Sequence, residues 1–147
     1  MYTTIQFIHS YWAYLVVFVV LIATINALAG YIGNKEYSPK DFRLALFALI
    51  TTHIQFLIGL VLYFVSPLGV QNITNVGMAE VMGNSLYRLY AVEHPLVMIL
   101  TVVFITIGYS KHKKKLVSKP KFKMLAIFYS IALILLLSRI PWVQWLG

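Results

Sequence analysis

Cysteine is absent from this 147-residue chain, and acidic side chains number only four. The first absence excludes disulfides, thiolate metal sites and haem tethered covalently through paired cysteines. Charge of either sign is scarce at 11% of residues; soluble domains carry about 25%, so there is too little here to clothe a globule. No H-E-x-x-H, phosphate-binding glycine loop or nucleophile motif occurs, and nothing therefore supports a soluble-type enzyme.

What the chain has instead is apolar length. Hydrophobic residues make up 61% of it, with a mean hydropathy of +0.83. Four runs stand out, spanning about 5–32, 42–65, 86–109 and 122–142. Each meets the roughly 20 residues needed to cross a hydrocarbon core about 30 Å thick. In lipid such runs must be helices, because an isolated strand leaves its backbone groups unpaired. The expectation is an all-α integral membrane four-helix bundle forming one transmembrane domain over residues 1–147. The first run has no basic residue before Lys35 and exceeds a signal-peptide core of about 7–15 residues. It reads as a retained helix.

Charge then orients the bundle. The first connection holds Lys35, Lys40 and Arg43 against Glu36 and Asp41, and the third holds seven lysines between Lys111 and Lys123. The second, from Pro67 to Tyr87, has neither lysine nor arginine. The positive-inside rule puts the two basic connections in the cytoplasm and both termini on the outer side, the periplasm of a bacterial inner membrane. The lysine run also suits anionic lipid headgroups. Nucleic acid is not an expected partner, because no soluble module presents the lysines. Ser38-Pro39 reads as a start signal for the second helix.

The third run carries Glu93-His94-Pro95. Starting the helix at Pro95 leaves fifteen residues to Tyr109, about 22 Å and too short to span. The helix must therefore begin near Leu86 and include the triplet, with Pro95 denying a hydrogen bond to the Ala91 carbonyl and kinking the chain. Ionisable groups at such depth usually face a bundle interior. Tyr87, Tyr90 and Thr101 share the face of His94 at helical spacing.

His53 lies near the midplane of the second helix, with Gly59 beyond it allowing close approach of a flat ligand or another helix. His9 caps a small-residue stripe of Ala13, Val16, Val20, Ala23, Ala27 and Gly30, which packs either within the bundle or against another copy. His112 sits among the lysines and is assigned no chemistry. Arg88 and Arg139 stand at the same end as His9, Glu93 and His94.

Paired imidazoles on facing helices are how bundles hold haem iron. By depth the best axial pair is His53 with His94, whose levels differ by about 7 Å on straight-helix arithmetic; a His9–His94 pair stays open. Arg88 and Arg139 stand where haem propionates would meet water, with Tyr90 beside them and His9 placed for a propionate or a quinol. Glu93 is a candidate quinol proton acceptor, or else an ion-pair partner of Arg88. The competing reading is architectural: histidines bonded to hydroxyls or carbonyls in a non-redox accessory subunit or proton-linked element of a larger membrane complex. A transporter acting alone fits poorly, since four helices leave little room for alternating access.

The helix order, with "HSYW" at His9–Trp12, "THIQFLIGL" at Thr52–Leu60, "VEHPLVMIL" at Val92–Leu100 and "TIGYSKHKK" at Thr106–Lys114, resembles small bacterial four-helix membrane proteins of the cytochrome b-like type over nearly the whole chain. That resemblance implies haem b ligated by His53 and His94, with His9 as third candidate. It further implies electron transfer between a membrane quinol and a partner protein.

Overall fold

A computed structural model describes residues 1–146. Four helical stretches are long and apolar enough to cross a membrane, and no strand occurs among the described residues. Helix α1 runs Tyr2–Ile32 and α2 Pro39–Val65; the second connection folds into the short helices α3 (Val70–Val76), α4 (Met78–Gly83) and α5 (Ser85–Arg88). A π-helical turn, Leu89–Glu93, leads into α6 (His94–Lys114), followed by α7 (Ser118–Ser138) and α8 (Trp142–Leu146).

The boundaries have local causes. Ser38 caps α2 as expected, with the Asp41 carboxylate accepting from its backbone N–H at 2.9 Å and Pro39 in the first turn. Gly77, at φ +88°, separates α3 from α4 in a conformation that other residues resist. The α6 helix outlasts its apolar run by five residues because lysines favour a helix C-terminus. By contrast, α7 stops at Ser138, ahead of the 142 expected, and Trp142 starts a separate helix after Pro141.

The long helices form a square in which α1 neighbours α2 and α7, and α6 neighbours α2 and α7. Helices α1 and α6 therefore face each other across one diagonal, α2 and α7 across the other. The half of the bundle nearest the lysines is filled. The stripe Val16, Val20, Ala23, Ala27 and Gly30 of α1 is buried inside this chain's own bundle, against Ala45, Ala48, Ile105, Leu125 and Ala132. Tyr129 crosses the α2–α7 diagonal and donates its hydroxyl to the Ala45 carbonyl at 2.8 Å. Small residues let the backbones close up where lipid supplies no hydrophobic drive. At Gly108 a Cβ would lie 2.5 Å from the Cβ of Phe128. Outward faces carry Phe18, Phe47, Leu57 and Ile134, exposed as a lipid-facing belt requires.

Charge divides the molecule. Ten of the twelve cations, with Glu36 and Asp41, lie at the lysine end, while Arg88 and Arg139 balance Glu80 and Glu93 at the other. The whole net charge of +8 thus sits at one end.

Pro95 does not break its helix. The chain widens into the π-helical turn just before it, and the carbonyl of Ala91, which Pro95 cannot serve, accepts instead from the Tyr63 hydroxyl of α2 at 2.8 Å. Such π-turns recur at functional sites. Ala91 is buried, so that carbonyl has no water to fall back on.

Both the stranded carbonyl and the tight glycine contact can be tested by substitution. Tyr63→Phe leaves the Ala91 carbonyl unpaired and should cost about 1–3 kcal/mol in reversible unfolding from detergent micelles; wild-type stability would show that another donor serves it. Gly108→Ala should cost about 1–3 kcal/mol by overpacking. Adding Phe128→Ala should not restore it, because the atom in the way is the Cβ that alanine keeps.

Candidate functional site

Towards the charge-balanced end the square opens. A cavity of about 740 Å³, within the usual range of roughly 300–1,000 Å³ for ligand sites, lies between α1 and α6. Its walls include His9 and Ala13 of α1, Gln55, Gly59 and Tyr63 of α2, Tyr90 of the π-turn, and His94 and Met98 of α6. Leu68, Ile73 and Met78 of the second connection, with Ile140 and Trp145 after α7, complete the lining. The small residue at Gly59 is needed here: a Cβ would come within 3.0 Å of the His9 ring.

The two histidines face one another across the diagonal, ring centroids 6.2 Å apart and planes at 84°. His94 Nδ1 lies 2.8 Å from the Arg139 carbonyl. A carbonyl can only accept, so Nδ1 carries the proton and Nε2 keeps its lone pair. Bonds of this kind orient histidines that ligate metals elsewhere. His9 is held through its backbone, its carbonyl accepting from Gln55 Nε2 at 2.8 Å. Its Nδ1 is buried without a partner, and so is Gln55 Oε1. Unpaired polar atoms inside a membrane bundle are costly, and both belong to this cavity wall.

His53 is elsewhere. Gln55, Gly59 and Tyr63 follow one another at intervals of four and define the cavity face of α2; His53 falls about 200° from Gln55 around the helix. Its Nδ1 donates to the Leu49 carbonyl at 2.7 Å, and its Nε2 lies 3.4 Å from the Thr106 hydroxyl. The structure thus brings His94 to His9 and leaves His53 off the cavity wall.

Glu93 points to the arginines. Its Oε2 lies 2.9 Å from Arg88 Nε and its Oε1 3.7 Å from Arg139 Nε, the ion-pair alternative anticipated for it. Arg88 also donates to the Met82 carbonyl at 2.8 Å, tying α4 to the end of α5. Neither guanidinium lines the cavity, but the Arg139 backbone touches it through His94. Tyr90 is on the wall, and Thr101, buried deeper on α6, bonds its own helix at Val97.

His112, at the lysine end, is fully buried. Its Nδ1 donates to the Tyr109 carbonyl at 2.6 Å and its Nε2 is 2.8 Å from the Tyr37 hydroxyl. Burial and then the Asp41 carboxylate push that hydroxyl up from its ordinary value, so Tyr37 keeps its proton and donates it to the ring.

Among the described residues no three His, Asp or Glu side chains converge as a bare metal ion would require. Two opposed imidazoles suit a porphyrin iron, which brings four nitrogens of its own. With a metal–nitrogen bond of about 2 Å and about 1 Å from nitrogen to ring centre, two opposite ligands place their centroids about 6 Å apart. The His9–His94 pair has that spacing, and both rings line a mostly apolar cavity. Sequence alone did not assign Gln55 or Tyr63 to the site, although their four-residue spacing with Gly59 carries the signal.

Comparison with protein-family models, with curated proteins and with solved structures finds no match to this chain.

Proposed function

We propose that this protein is a membrane-embedded b-type cytochrome that carries electrons between a quinol pool and a partner protein, with His9 and His94 as axial ligands. The observation that carries the reading is the imidazole pair: two rings 6.2 Å apart on diagonal helices, flanking a large apolar cavity. Bound there, haem b would supply a one-electron iron couple. The chain's residues do the rest. The Arg139 carbonyl fixes the His94 tautomer, Gln55 holds the His9 backbone, and Gly59 leaves space beside the His9 ring. Apolar walls exclude water, and Arg88 and Arg139 are the cations of the end where propionates would emerge. The pairing of His53 with His94, expected from depth, has weaker support, since His53 is turned off the cavity.

Glu93 is the carboxylate nearest the site, and its service as a quinol proton acceptor requires it to leave its arginines. A bacterial inner membrane, with the lysine end in the cytoplasm, fits the charge distribution.

Protein purified after expression with ample haem should be red, with a Soret band that shifts on reduction. His9→Ala and His94→Ala should each abolish the six-coordinate low-spin spectrum, and His53→Ala should retain it. If His53→Ala bleaches the protein while His9→Ala does not, the axial pair is His53 with His94. Colourless wild type favours a non-redox accessory or proton-linked subunit. Glu93→Gln should slow haem reduction by a quinol several-fold with the spectrum intact; an unchanged rate removes Glu93 from proton transfer.

A further inference from the structure

We infer that electrons both enter and leave this protein at one membrane face, the charge-balanced end, so that it moves no charge across the membrane. This rests on the cytochrome reading above and extends it to the side on which the partner docks.

Accounting for the four histidines carries the first step. Both ring nitrogens of His112 are taken, by the Tyr109 carbonyl and the Tyr37 hydroxyl, and Phe42 lies against the ring at 6.1 Å between centroids. His53 spends Nδ1 on the Leu49 carbonyl and has no histidine opposite it. Only His9 and His94 form a pair, and both lie at the same end. The second step is distance. From His9 to Ile32 helix α1 climbs about 35 Å. That stretch of the bundle is occupied by fully buried Tyr129, Phe122 and Ile105, and a Cβ on Gly30 would lie 2.5 Å from the Phe122 ring. Tunnelling decays exponentially with separation, and no second carrier site interrupts this span among the described residues.

The balance is then fixed. One quinol becoming quinone releases two protons and two electrons; through a group held by His9 and His94 the electrons would pass singly to two one-electron acceptors, and protons and electrons would leave on one side. The acceptor meets an end where Arg88 and Arg139 are matched by Glu80 and Glu93. Long-range steering there is weak, and the exchange rate should change less than twofold with ionic strength.

The cysteine-free chain makes the test direct. Thr3→Cys and Lys114→Cys lie at exposed positions at opposite ends. In haem-loaded proteoliposomes, an impermeant maleimide measures which fraction of each variant presents its cysteine outward. External ferricyanide, taking one electron per iron, should rapidly oxidise a pre-reduced fraction equal to that labelled in T3C. A dye on T3C should also lose at least severalfold more emission on haem loading than a dye on K114C. Rapid oxidation of all the iron, a fast fraction following K114C, or equal quenching of the two dyes overturns the inference. Failure to take up haem at all defeats the cytochrome reading beneath it, an outcome visible in the Soret band before any vesicle is made.

Discussion

Inside a bilayer no water is on hand to satisfy a polar group, and the arrangement of this bundle follows from that constraint. Thr24, Thr51, Thr52 and Thr101 each return a hydroxyl to their own helix backbone. Tyr129 finds the Ala45 carbonyl, Trp12 the Thr51 carbonyl and Tyr63 the carbonyl that Pro95 strands. Against so thorough a pairing, the exceptions are informative. Among the described residues three buried side-chain atoms lack a partner: His9 Nδ1 and Gln55 Oε1 on one cavity wall, and Asn72 Nδ2 on α3, away from it. A chain that settles so many polar side chains within the bundle has left two of these three where a bound group could engage them.

The two halves of the bundle solve different packing problems with the same four helices. Nearest the lysines, alanines and glycines bring the backbones together and two large aromatic rings fill what is left. Towards the other end the helices keep their directions, but Gly59, Ala13 and the π-turn withdraw bulk from the axis. Aim matters there as well as space. Tyr90 and His94, four residues apart, both reach the cavity wall, while Glu93, about 100° round from His94, reaches the arginines.

Much of this was legible in the sequence. The four apolar runs appear as helices near their expected limits, Ser38 caps α2, and Pro95 lies within a continuing helix whose stranded carbonyl was foreseen. That His9 rather than His53 faces His94 was not legible from depth, because depth along a helix says nothing about azimuth. Azimuth was partly available: Gln55, Gly59 and Tyr63 mark a polar and small face on α2 from which His53 is turned away. Which helices stand on the diagonal is a tertiary fact, and no local spacing contains it. Nor did composition show that the second connection would fold into three short helices and set Leu68, Ile73 and Met78 against the cavity.

Charge and cavity are segregated, and the segregation has a physical logic. The lysines are concentrated at one end, and several lie over aromatic rings there, Lys113 on Tyr109, Lys119 on Tyr31 and Lys121 on Tyr37. Had those cations been shared between the ends, the cavity mouth would carry excess positive charge beside two imidazoles. A positive field disfavours protonating an imidazole. With Arg88 and Arg139 matched by acids, the local field is set by short-range dipoles instead. The Arg139 carbonyl on His94 is the nearest of these, and it fixes which nitrogen of that ring keeps its lone pair.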